Sequence, residues 1–193
     1  NLSPVKNQKS EGNCWAFAAI AALESCIIKA NGTIYDFSEE NMKNIASSFS
    51  DYGNRHYNTN LGGNPLLSIG YLTSWLGPIS DENDIYSSNV LSQLFDSSMH
   101  IQNVIFIPRS NYIDNSAIKA AILKYGAVVT SMYYNDSYLS NDHVSYYADV
   151  DGVSPNHAVT IVGWDDNYSK NNFTTSPPGN GAFIVRNSWG SDW

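Results

Sequence analysis

Apolar residues follow two rhythms along this chain, a helical one in the first half and a strand-like one in the second. Residues 14–30 are dense in alanine and leucine, which lose little entropy in a helix, and Asn31-Gly32 follows as a stop. Asn13 is the expected N-cap. A second helix is expected over 38–48, with Ser38 as cap and Glu39 and Glu40 in the first turn. Asn64-Pro65 opens a third over 66–76, with proline at the first helical position and Gly77 at the end. Residues 50–63 and 78–98 carry no apolar period and read as loops. Beyond residue 100, short β-branched and aromatic runs take over. They predict strands over 104–108, 127–134, 145–150, 158–164 and 182–186, with one further helix over 115–126. Helices first and antiparallel strands second make an α+β protein of two lobes with the site in the cleft between them. The helical lobe is expected over about residues 10–105, and the β lobe over about 106–193 together with 1–9.

Composition narrows what such a fold can do. The 193 residues are 42% hydrophobic and 15% charged, enough to bury a sizeable core. Eighteen acidic against ten basic residues give a net charge of -8, which excludes a counterion-displacing nucleic-acid surface. No run reaches the ~18 consecutive apolar residues of a membrane span. Two cysteines are present, Cys14 and Cys26, twelve residues apart on one expected helix. At ~1.5 Å per residue their Cα atoms lie ~18 Å apart, too far to bridge. Cys26, beside Leu23, Ile27 and Ile28, reads as a core filler. Cys14 lies in the first turn, where unpaired N–H groups and the helix dipole stabilise a thiolate.

The residues around Cys14 run Asn7-Gln8-Lys9-Ser10-Glu11-Gly12-Asn13-Cys14-Trp15-Ala16-Phe17. Far downstream come Asn156-His157-Ala158-Val159 and Arg186-Asn187-Ser188-Trp189-Gly190, and between them Gly62-Gly63-Asn64-Pro65. In this order the four segments resemble those of the papain-like cysteine peptidases. The residue types suit that chemistry. A thiol becomes a strong nucleophile when a base takes its proton, and histidine is the usual base near neutral pH. Cys14 and His157 form that pair, expected as thiolate and imidazolium, 143 residues apart as the family spacing requires. The Asn187 amide accepts the ring N–H and orients it. Its longer distance from Cys14 fits an insertion over 165–181. Gln8 and the backbone N–H of Cys14 are the expected donors to a developing oxyanion.

The resemblance implies further roles. Trp189 covers the Asn187–His157 hydrogen bond, and Trp15 supports the helix start. Gly62 and Gly63 let an extended polypeptide substrate pair with backbone. Pro65, Leu66 and Ala158 line an apolar pocket for the second side chain upstream of the cut. An inhibitory propeptide is implied as a partner, and no cofactor. No metal is expected: His56, His100 and His143 lack ligand spacing, and 149–152 and 165–167 read as turns rather than calcium loops. The chain departs from many family members in carrying Glu11-Gly12-Asn13 where Cys-Gly-Ser stands, so one familiar disulfide is missing. Style places it nearest the bacterial and archaeal members, and with them an extracellular or cell-surface location. Both ends are expected to fall short of the usual domain. Two alternatives stand beside peptidase activity: a catalytically silent binding or adhesion module, and a Cys-His-Asn acyltransferase.

Overall fold

The structure, a computed structural model, describes residues 2–87 and 92–193. Asn1 and residues 88–91, part of the expected 78–98 loop, lie outside the described residues. Among the described residues, four α-helices and three strands follow in the order α1 Cys14–Asn31, α2 Glu39–Ile45, α3 Pro65–Thr73, α4 Ser116–Tyr125, β1 Val128–Met132, β2 His157–Asp165 and β3 Ala182–Arg186. The strands form one antiparallel sheet in the order β1-β2-β3, so the fold is α+β, as the sequence indicates.

Helix α1 is the spine. It packs on β2, α2 and α3, and its Trp15, Ala16, Ala18, Ala19 and Ile20 share one core with Met42, Ile45, Tyr71 and Ala158. By length and hydropathy alone α1 could cross a membrane, the one such helix among the described residues. Its apolar side chains are instead largely spent on this core. Gly32 ends it with φ 78°, its N–H bonded to the Ile28 carbonyl. Ser38 caps α2 as expected, its Oγ accepting from Asn41 N–H at 2.9 Å.

Several expectations are corrected. Asn13 occupies the N-cap position of α1, but its side chain makes no capping bond; Nδ2 turns to Glu11 and Tyr86 instead. Cys26 is exposed, not a core filler. The buried face of that half of α1 is Ala21, Glu24, Ser25 and Ile28, and Cys26 lies about 200° around the helix from Glu24 and Ile28. Glu24 holds the inner position because its carboxylate accepts Phe37 N–H at 3.0 Å and the Ser3 hydroxyl. Residues 104–108 form no strand, and Ile105 and Phe106 face solvent without a neighbouring strand to pair with. Residues 145–150 also form none beyond a single bridge of Tyr146 to Leu139; the Tyr146 side chain stacks on Tyr134 and donates to the Tyr133 carbonyl. Helix α3 stops before residue 76: Trp75 turns to φ 60° and Leu76 N–H closes back on the Tyr71 carbonyl.

The N-terminal segment runs beside the end of β3. Gln8 N–H donates to the Ser188 carbonyl at 2.7 Å and Gly190 N–H to the Lys6 carbonyl at 3.1 Å. Arg186 reinforces the join through Ser3 Oγ at 2.7 Å and the Pro4 carbonyl.

Candidate active site

Three element ends meet at the site: the first residue of α1, the first of β2 and the residue after β3. Cys14 is half-buried, and its Sγ accepts the Ala158 backbone N–H at 3.3 Å. His157 precedes Ala158 and is buried, so the amide that meets the thiol belongs to the residue after the imidazole, at the start of β2. His157 Nε2 lies 2.8 Å from Asn187 Oδ1. That oxygen also accepts the Ser188 N–H at 2.8 Å, which fixes it as the amide's acceptor end. Nε2 therefore carries the ring proton, and Nδ1 of the neutral ring keeps its lone pair.

Trp189 stacks on the imidazole with centroids 4.7 Å apart and 22° between planes. Tyr134 meets the same imidazole edge-on at 6.0 Å and Trp189 at 4.8 Å. Asn156 holds Tyr134 there, accepting its N–H at 2.7 Å and donating to its carbonyl at 2.9 Å. Burial pushes the Cys14 thiol up, against the backbone N–H groups of Ala158, Trp15 and Cys14 itself. Burial pulls the His157 imidazole down, against its bond to Asn187. Each shift disfavours the charged form of its own group.

Gln8 is buried beside them. Its Oε1 accepts from Ser188 Oγ at 2.6 Å and its Nε2 donates to the Glu11 carbonyl at 2.6 Å. An amide nitrogen has two protons, so one N–H remains for another acceptor.

A profile described as papain family cysteine protease matches residues 1–193. The chain belongs to the papain family of cysteine proteases. It is 28% identical to pro-cathepsin H of Mus musculus and 29% identical to fruit bromelain of Ananas comosus, each across the whole of this chain. It covers 54% and 49% of those relatives, about half their length. Among solved structures, the cysteine protease and lectin-like domains of Cwp84, a surface layer associated protein of Clostridium difficile, match with a TM-score of 0.79. Identity there is 32%, over 97% of this chain and 42% of that one. The fold is papain-like.

In this papain-family chain the glycine segment packs on the loop before Cys14. Gly12 N–H donates to the Asn60 carbonyl at 3.1 Å, and a Cβ on Gly12 would sit 2.6 Å from Gly62 N. A Cβ on Gly63 would sit 2.5 Å from Trp15 Nε1, so glycine is what lets this segment lie against the Trp15 ring. Trp15 is buried, and its carbonyl accepts from Ser68 Oγ at 3.2 Å. Pro65 opens α3 half-buried. Leu66 is 67% exposed, while Leu67 joins the core that also holds Ala158. Sequence reasoning missed Tyr134, Ser188, Glu11, Tyr86 and Lys43. Ser188 and Glu11 sit inside the segments around Asn187 and Cys14, where each is a further polar group; Tyr134, Tyr86 and Lys43 carry no local signal.

Proposed function

We propose that this chain is a cysteine endopeptidase that hydrolyses polypeptides through an acyl-enzyme. The observation that carries the reading is the Asn187 Oδ1 bond to His157 Nε2, with Cys14 Sγ on the amide of the next residue. His157 Nδ1 takes the Cys14 proton, and the thiolate attacks the scissile carbonyl carbon. The oxyanion that forms is met by the remaining Gln8 Nε2–H and by Cys14 N–H. On collapse the imidazolium gives its proton to the departing amine, the C–N bond breaks and a thioester remains. His157 then takes a proton from water, hydroxide displaces Cys14 Sγ, and the acid leaves.

The substrate is an extended chain paired along Gly62 and Gly63, with an apolar second residue upstream of the cut against Pro65, Leu66 and Ala158. Exposed Leu66 suits such a contact. The lobes are residues about 10–105 and about 106–193 with 1–9. An inhibitory propeptide and an extracellular or cell-surface location complete the reading; the name pro-cathepsin H supports the first and the surface association of Cwp84 the second.

The test is a peptidyl epoxide in a Cys26→Ser background, since exposed Cys26 would add its own labelling. Stoichiometric label on Cys14, and no peptide hydrolysis by Cys14→Ala, are expected. An unlabelled Cys14 in a folded protein favours the silent binding module, and amide transfer to an added amine in place of hydrolysis favours the acyltransferase.

A further inference from the structure

Five residues separate Gln8 from Cys14, and none of them lies in a helix or strand. Lys9 even stands at φ 57°. Two donors joined by such a loop keep a fixed separation only if the loop is gripped from outside. The gripping contacts converge on one carboxylate. Glu11 Oε2 accepts from Lys43 Nζ at 3.1 Å and from Asn13 Nδ2 at 2.8 Å, and the Tyr86 hydroxyl lies 3.1 Å away. The same hydroxyl is 3.1 Å from the Gln8 carbonyl and 3.2 Å from Asn13 Nδ2. Lys43 is fully buried, its ammonium also 3.0 Å from Glu40 and 2.9 Å from the Ser87 carbonyl, and 5.0 Å from the Tyr86 ring centre.

Glu11 therefore works with both ends. Its carboxylate faces this cluster, while its backbone carbonyl holds Gln8 Nε2 at 2.6 Å. Tyr86 ties the start of the loop, at the Gln8 carbonyl, to its end, at Asn13, the residue before Cys14. Burial, with the Glu11 charge beside it, pushes the Tyr86 phenol up, so it stays a proton donor.

We propose that Glu11, Lys43 and Tyr86 are positioning residues that set the distance and direction of the two oxyanion donors, Gln8 Nε2–H and Cys14 N–H. The proposal rests on the peptidase reading above. None of the three touches the thiol, the imidazole or the Asn187 amide by the bonds described. Their removal leaves the nucleophile intact and misplaces the donors.

That distinction is measurable with Tyr86→Phe, in the full chain with Cys26→Ser. Four quantities are compared with the parent: kcat and KM on a peptide, affinity for a peptide aldehyde, and the rate of Cys14 alkylation by iodoacetamide. In the aldehyde adduct a sulfur–carbon bond forms and the carbonyl π pair moves onto oxygen, which occupies the oxyanion position. Alkylation displaces iodide and develops no oxyanion. The expected result is a fall of about 10–100-fold in kcat and in aldehyde affinity, with KM and alkylation rate within about twofold. Glu11→Gln, which keeps size and removes charge, should show the same split and covers the case in which Tyr86→Phe fails to fold. Unchanged kcat and aldehyde affinity overturn the proposal. So does an alkylation rate that falls in parallel with kcat, which marks general loss of structure. Failure of the peptidase reading itself shows separately, as a parent protein that neither cleaves peptide nor takes the aldehyde.

Discussion

Trp189 stacks on the imidazole of His157, with ring centres 4.7 Å apart and 22° between the planes, while Nε2 of the same ring lies 2.8 Å from Asn187 Oδ1. Trp189→Ala removes an aromatic pair worth about 0.5–1.5 kcal/mol and hydrates the ring. Because burial is what lowers the His157 pKa, the variant's imidazole should titrate higher than the parent's. An NMR titration of His157 reads this directly; an unchanged or lower value contradicts it.

Asn187 holds the ring without contacting the thiol. Asn187→Ala should leave the fold in place and cut kcat by about 10²-fold through a misoriented imidazole, with little change in KM. Steady-state kinetics beside a thermal melt separate this from unfolding.

His157→Ala isolates the thiol. With the imidazole gone, burial still raises the Cys14 pKa against the backbone N–H groups of Ala158, Trp15 and Cys14 itself. Iodoacetamide reactivity in a Cys26→Ser background should then rise only at alkaline pH, above the range of an ordinary thiol. Parent protein should react at lower pH than the variant. If the two profiles coincide, the imidazole does not serve the thiol.

Glu39 shows the same physics in stability. Buried beside Lys6 at 2.9 Å, its carboxyl is pushed up by burial to about 8 despite that partner. The folded state therefore holds a proton that the unfolded chain gives up near pH 4.5. Stability from this group is full below pH 4.5 and is lost as pH rises through about 8. Melting curves of the parent should fall across that window more steeply than those of Glu39→Gln.

Gly12 answers to sterics rather than charge. Gly12→Ala puts a methyl group 2.6 Å from the backbone of Gly62, so the two segments must part, at a cost of about 1–3 kcal/mol. Chemical denaturation checks the figure, and epoxide labelling of Cys14 should slow.

Much of this was legible beforehand, and the reasons for the gaps are physical. The residues brought together at Cys14 each sit at an element end, where motif and cap signals coincide. Helix α1 was visible in its alanine-rich stretch because intrinsic propensity and tertiary burial agree there. Cys26 misled because composition does not say which face a helix buries, and Glu24 could take the inner place only with Ser3 and Phe37 waiting for its carboxylate. Residues 104–108 and 145–150 have strand composition, yet a strand also needs a continuous partner edge, and among the described residues these two runs find only the single Tyr146–Leu139 bridge. The Glu11–Lys43–Tyr86 cluster was invisible because its members come from three separate segments, and a charge in a sequence reads as solvent-facing until packing closes over it.

The pairing of residues 6–8 with 188–190 also imposes an order in time. During synthesis Ser188, whose hydroxyl bonds Gln8, follows 180 positions after Gln8. At about 5–20 residues per second that interval is roughly ten seconds or longer. Until that segment docks, Gln8 lacks the Ser188 hydroxyl and His157 lacks the Asn187 amide.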